Sequence, residues 1–228
     1  MKQEELEAVC RVDQLFKNLE ESRAGELLAQ VTYPWEVLEK IHDFILQLGP
    51  TLSTDEYEER EAQVWIAKSA KVYPTATIIG PTIIGPDTEV RPGAFIRGNA
   101  LVGAGCVIGN STELKNVIIF NSVQVPHYNY VGDSVLGYKS HMGAGSITSN
   151  VKADKTLVEI KHGEAHIPTG RKKVGAILGD HVEIGCNTVL NPGTVVGARS
   201  NVYPVSMVRG YVPAGSIYKK QGEILEKY

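Results

Sequence analysis

The sequence predicts a mainly β fold, a single-stranded parallel β-helix preceded by a small N-terminal helical region. Three observations carry this: a branched or apolar residue returning every six positions, glycine confined almost wholly to the same stretch, and a change in the sign of the charge where the repeat begins.

Residues 1–63 hold 6 Lys and Arg against 15 Asp and Glu, whereas residues 64–228 hold 17 against 11. Only Gly25 and Gly49 of the 23 glycines precede residue 64. Two differently built parts therefore share the chain. The basic part suits small anions such as phosphates. No dense basic run with interleaved aromatics is present, so nucleic acid is not expected as a partner. No apolar run of about 18 residues occurs, so no transmembrane helix is expected. The N-terminus lacks the apolar core and cleavage site of a secretory signal, which makes the cytoplasm the expected compartment. Cys10, Cys106 and Cys186 are odd in number and fit no zinc spacing, so neither a disulfide framework nor a structural metal site is expected.

In chain order, residues 3–22 read as a helix, with Leu6, Val9, Cys10, Val12, Leu15, Phe16 and Leu19 at helical spacing. A second helix starts near Pro34, where a missing N–H needs no partner, and Gly49-Pro50 ends it. Its stripe is Trp35, Leu38, Ile41, Phe44, Ile45 and Leu48, and residues 51–62 read as a solvated linker. These stripes need a partner surface. They read as a packing or oligomerisation appendage rather than as a place for chemistry.

From residue 66 the six-residue clock runs through Ile66, Val72, Ile78, Ile84, Val90, Ile96, Val102, Ile108 and Leu114. It slips by one residue to Ile119, Val125 and Val131, and again to Leu136, Met142 and Thr148. After an interruption over 149–177 it resumes at Leu178 and continues to Val208. A period of six suits neither a helix nor a simple strand. It suits short strands joined by tight corners, three hexads closing one triangular coil of about 18 residues. Clock residues 18 apart then stack, Ile66 under Ile84 under Val102, in parallel ladders about 4.8 Å apart. About six coils are expected, with a β-helix over 64–215 and a tail over 216–228. Phase slips are where a coil is expected to bulge, and His127 is read as lying at one. Within the interruption, residues 156–168 read as a hairpin turning at His162-Gly163-Glu164.

Specific motifs extend this reading. Val90-Arg91-Pro92-Gly93-Ala94, Gly109 to Lys115, His127-Tyr128-Asn129-Tyr130-Val131-Gly132-Asp133, and Met142 to Thr148 followed by Asn150 stand in the order seen in one enzyme family. The chain resembles the left-handed β-helix hexapeptide-repeat acyltransferases. More closely, it resembles the acetyltransferase domain of the bifunctional UDP-N-acetylglucosamine pyrophosphorylase/glucosamine-1-phosphate N-acetyltransferases. Gly170 to Ala176, and Tyr33-Pro34-Trp35 before a helix, are similar to the archaeal-type bifunctional enzymes. Left-handed coiling is an implication of this resemblance. The glycine-rich phosphate loop of the nucleotidyltransferase domain has no counterpart here, so uridylyl transfer is not expected.

Amide formation from an amine and a thioester needs a proton acceptor near neutral pH, and an imidazole suits that role. The resemblance implies His127 as this base. It implies Arg91 and Lys115 as phosphate cations, and Tyr130, His141 and Asn150 as contacts to the sugar. Lys173 takes the place of a further substrate lysine, with Lys172 as its rival. Acetyl-CoA is the expected co-substrate, lying against Ala144 and Cys186 with Lys219 and Lys220 near its phosphates; Cys186 reads equally as a packed small residue. The family carries Asn where this chain has His141, and an aromatic where it has Val151, so acetyl transfer is better supported than the identity of the acceptor. His162 and His166 form H-x-x-x-H and are expected on one face of the hairpin, but without a third ligand no metal is expected. The resemblance implies a homotrimer and a sugar phosphate in UDP-N-acetylglucosamine synthesis. The alternative is a non-catalytic scaffold that partners a separate nucleotidyltransferase chain through its N-terminal helices.

Overall fold

The computed structural model describes residues 1–220 and 223–227. From residue 64 the chain coils as a left-handed parallel β-helix of triangular section. On the first face, Ile66 pairs with Ile84 and Ile84 with Val102, and the column continues through Ile119, Leu136, Leu178 and Val196 to Val212. The second column runs from Val72 through Val90, Ile108, Val125, Met142, Ile184 and Val202 to Tyr218. The third runs from Ile78 through Ile96, Leu114, Val131, Thr148 and Leu190 to Val208. The clock residues thus line three internal columns. Eight levels are present on the first face rather than six, a stack about 34 Å tall.

The two phase slips do not bulge. They shorten the corner between the third and first faces from five intervening residues to four. Glu113–Ile119 and Tyr130–Leu136 therefore run through that corner as continuous strands. Asn116 and Asp133 turn these shortened corners in left-handed conformations, with φ of 55° and 49°, as Asn99 does at a full-length one. Asn and Asp tolerate this region better than most side chains. His127 lies instead on a full-length corner between the second and third faces, because the slips fall after Leu114 and Val131.

The outward neighbours of the clock residues differ by face. On the first they are Trp65, Ile83, Leu101, Ile118, Val135, Ile177 and Val195, all buried. On the second they include Lys71, Glu89, Gln124, His141 and Glu183. On the third they include Phe95, Tyr130, Ile147, Val189 and Met207, half-buried or exposed.

The apolar first face is covered by the N-terminal region. Helices α1 (Gln3–Val9), α2 (Val12–Leu15), α3 (Gly25–Ala29) and α4 (Ile41–Leu48) wrap it, with short 3-10 turns at Leu19–Glu21 and Pro34–Val37. The continuous helix expected over 3–22 is broken because the chain bends to dock. Phe16 leaves the helical conformation and stacks on Phe120 at 5.0 Å. The next two amides, of Lys17 and Asn18, donate to the Asp180 carboxylate at 2.8 and 3.2 Å. Burial pushes the Asp180 carboxyl above the usual carboxylate range despite these bonds. The second predicted helix is likewise divided, and α4 packs on Ala100–Val102 and Glu113–Ile119. Residues 57–61, expected in a linker, form a strand antiparallel to Val64–Ala67 that closes one end of the stack. At the other end the tail forms Ser216–Lys220, on the last level of the second face, and an antiparallel Glu223–Glu226.

The excursion over 149–177 carries the predicted hairpin, Glu159–His162 with Ala165–Pro168. Its two-residue turn is Gly163-Glu164, which pairs His162 with Ala165 and Lys161 with His166. His162 and His166 therefore point to opposite faces, not to one. Their Nδ1 atoms face the Tyr211 and Glu164 carbonyls respectively. Among the described residues no group of three or more potential metal ligands is gathered, and no helix is long and apolar enough to cross a membrane.

Phe16 and Phe120 are both buried, so Phe16→Ala should cost about 3–5 kcal/mol. The loss should appear as a lowered denaturation midpoint and as early proteolysis within the first 63 residues, with the β-helix still protected.

Candidate active site

The corner between the second and third faces builds a vertical strip. His127 pairs with Asn110, whose side-chain amide donates to the Pro92 carbonyl at 2.8 Å. One level above, the Gly145 amide donates to the His127 carbonyl at 3.0 Å. A Cβ on Gly143 would meet the Cys186 amide nitrogen at 2.7 Å, so Ala144 and Cys186 lie on successive levels of this line. Tyr203 follows, and its amide donates to the Tyr218 carbonyl next to Lys219. By ladder spacing Arg91 lies about 10 Å below the His127 level and Lys219 about 19 Å above it. The expected base and the expected cofactor contacts thus share one edge. Arg91 is engaged by Glu89 at 3.1 Å.

His127 presents an exposed ring on a braced turn. Its amide donates to Asn129 Oδ1 at 3.0 Å, and Asn129 is itself buried. Asn129 Nδ2 donates to the Gly143 carbonyl at 2.8 Å and to the Ser146 carbonyl at 3.1 Å. Tyr128 beside it is 65% exposed with a φ of 51°.

The corner between the third and first faces gathers a second cluster. Asp133 is 4% exposed. Its carboxylate accepts from Lys115 Nζ at 3.3 and 3.4 Å, Asn116 Nδ2 at 2.9 Å and Asn150 Nδ2 at 2.5 Å. Asn150 Nδ2 also donates to the Tyr130 hydroxyl at 3.2 Å. Gly132 leaves room for this arrangement: a Cβ would meet the Tyr130 hydroxyl at 2.5 Å and Asn150 Nδ2 at 3.0 Å and displace them. Beside the cluster opens a cavity of about 520 Å³ lined by Asn116, Asp133, Arg171, Lys172, Lys173 and Glu36, among others. Both candidate lysines of the excursion reach this cavity; Arg171 is held by Glu39 at 2.7 Å.

The sequence-derived residues thus fall on two edges of the third face. His127, Arg91, Ala144, Cys186 and Lys219 occupy one; Lys115, Asn150 and Lys173 occupy the other; Tyr130 stands on the face between and reaches Asn150. His141 stands apart on the second face, its Nδ1 2.8 Å from Glu183. Sequence reading placed Asn129 and Asp133 within the His127–Asp133 motif but gave neither a role. For Asp133 that motif and the one-residue phase slip beside it were the signals.

The GMPPB C-terminal domain matches residues 78–202, more than half the chain and both edges up to Cys186. The chain belongs to this family. A bifunctional sugar-1-phosphate nucleotidylyltransferase/acetyltransferase of Sulfurisphaera tokodaii is 33% identical over 59% of the chain and 32% of its own length. The bifunctional protein GlmU of Methanococcus vannielii is 32% identical over 85% of the chain and 47% of its own length. The chain therefore spans less than half the length of either relative. Among solved structures, a hexapeptide transferase family protein from Anaplasma phagocytophilum is 20% identical, with a TM-score of 0.41 over 72% of this chain and 80% of that one. All three cysteines are free, and two of them, Cys106 and Cys186, lie within this GMPPB C-terminal-type domain. Burial pushes the Cys10 and Cys106 thiols up to about 12, which keeps them protonated and unreactive.

Burial first, and then the Asp133 charge, hold the Tyr130 phenol above its ordinary range. Tyr130 should therefore stay a neutral hydroxyl to higher pH than an exposed tyrosine does. Ultraviolet titration of the wild type against Tyr130→Phe should show the missing phenol ionising later than the exposed tyrosines.

Proposed function

We propose that the protein is an acetyl-CoA-dependent N-acetyltransferase acting on an amino-sugar phosphate, with glucosamine 1-phosphate as the acceptor, in UDP-N-acetylglucosamine synthesis. The observation that carries this reading is the single strip placing an exposed, braced imidazole directly beneath Ala144 and Cys186. An extended thioester laid along that strip brings its carbonyl to His127. The acceptor amine attacks that carbonyl, and a nitrogen–carbon bond forms as the carbon–sulfur bond breaks. His127 takes the proton the amine loses and returns it to the departing thiolate. Lys115 and Tyr130 supply donors, and Asn150 Oδ1 an acceptor, to the phosphate and sugar hydroxyls, with Lys173 or Lys172 closing over them. Lys219 and Lys220 meet the cofactor phosphates. No step calls for a metal.

The two clusters lie on opposite edges of one face, and that face is the apolar one the N-terminal region leaves open. Three copies packed through it as a homotrimer bring one copy's base edge against its neighbour's acceptor edge. The scaffold alternative is disfavoured because the apolar stripes of the N-terminal region are already buried on the protein's own first face.

Thiol release from acetyl-CoA against a panel of amino-sugar phosphates tests the reaction and ranks the acceptors. His127→Ala should lower turnover by about a hundredfold or more while leaving acetyl-CoA binding and the unfolding midpoint unchanged. A fully active His127→Ala protein would overturn the assignment. Ile147→Asp, on the third face, should yield folded monomers in sedimentation and abolish acetyl transfer; a stable wild-type monomer that is fully active refutes the intersubunit site.

A further inference from the structure

We infer that Asp133 is a positioning residue for the acceptor, its buried carboxylate fixing the direction of the Lys115 ammonium and the Asn150 amide. The inference rests on the acetyltransferase reading above.

The carboxylate sits where the shortened corner turns, and the backbone gives it no freedom to leave: Asp133 has a φ of 49°, its carbonyl accepts from the Gly175 amide at 2.8 Å, and its side chain is almost wholly enclosed. Every group around it is a donor. Lys115 Nζ spans both oxygens, Asn116 Nδ2 binds Oδ1 and Asn150 Nδ2 binds Oδ2. A lysine side chain that is otherwise long and mobile is thereby held in one direction against Asp133. The Lys115 charge is balanced by Asp133 on the next coil, so its role toward an acceptor is that of an aimed hydrogen-bond donor. The same carboxylate sets the polarity of Asn150. With Nδ2 committed to Asp133, the Tyr130 hydroxyl must accept from Asn150, and its own proton is left free to be donated outward.

Asparagine has the same shape and is at home at positive φ. It carries an NH2 group where the carboxylate has an acceptor. Turned toward Lys115 and Asn116, that group faces donors, and an ammonium cannot accept. Turned toward Asn150, it forces that amide to flip, so that Tyr130 becomes the donor to Asn150 and loses its outward proton. Either way the shape survives and the aim of the donors is lost.

The test is steady-state kinetics on the full chain for wild type, Asp133→Asn, Lys115→Met and the double variant, with the best acceptor of the panel. Asp133→Asn should raise the acceptor KM at least about tenfold, as for the loss of a hydrogen bond to a charged group. The acetyl-CoA KM should stay within about twofold, since the cofactor strip lies on the other edge. In the Lys115→Met background the same substitution should add little, the signature of residues acting as one unit. Asp133→Gly, which keeps the backbone conformation and removes the carboxylate, is the second variant with the same expectation should Asp133→Asn not fold. An unchanged acceptor KM, equal rises in both KM values, or full additivity with Lys115→Met overturns the positioning role alone. A wild type that turns over no acceptor on the panel overturns the acetyltransferase reading itself, and the role of Asp133 with it.

Discussion

Vertical register governs this molecule. Each clock residue must stand over the one a coil below, because sliding a strand by one position would turn its inward side chain outward. Two successive coils of 17 residues on a stack of 18-residue coils therefore cannot be accommodated by a shift of register. The deficit is concentrated at one corner, where Asn116 and Asp133 take left-handed conformations and the strands run on without a break. That geometry carries a carboxylate into the interior edge of the prism, where Lys115, Asn116 and Asn150 meet it.

The second organising fact is that three faces with the same inward pattern carry different outward residues. An outward row of Trp, Ile, Leu and Val commits the first face to burial, each side chain worth about 1.5–3 kcal/mol when covered. The cover is the protein's own N-terminal region, and Phe16 on Phe120 and the Lys17 and Asn18 amides on Asp180 pin it in place. The charged second face is suited to water. The third keeps Phe95, Ile147 and Met207 accessible, and its two edges hold the two halves of the candidate site.

The inward columns were legible in the sequence because a fixed period survives any detail of packing: all three run through the residues that the clock names. The hairpin was legible for the same local reason, a Gly-centred turn between alternating residues. Helix boundaries were not, since Leu6 to Leu19 have helical spacing but must follow a nearly flat sheet, and docking outweighed propensity at Phe16. The facing of His162 and His166 depended on whether two or three residues form the turn, which spacing alone does not decide. The candidate site was legible as a set of residues but not as an arrangement. Linear order cannot reveal that His127 and Lys115 lie on opposite edges of one face, or that Asp133 lies between Lys115 and Asn150.

A parallel stack has no natural last layer: its final coil offers the same unpaired amides and carbonyls as every coil beneath it. Here both ends are closed by short strands running against the grain, Tyr57–Glu61 below and Glu223–Glu226 above. The lower one shows Glu58, Glu59 and Glu61 to solvent around Arg60, which pairs with Glu58, a mainly acidic edge that a second copy arriving end-on would have to face. End-on addition is thus opposed on one face at each pole, whereas copies that met along a flank could close on themselves by rotation.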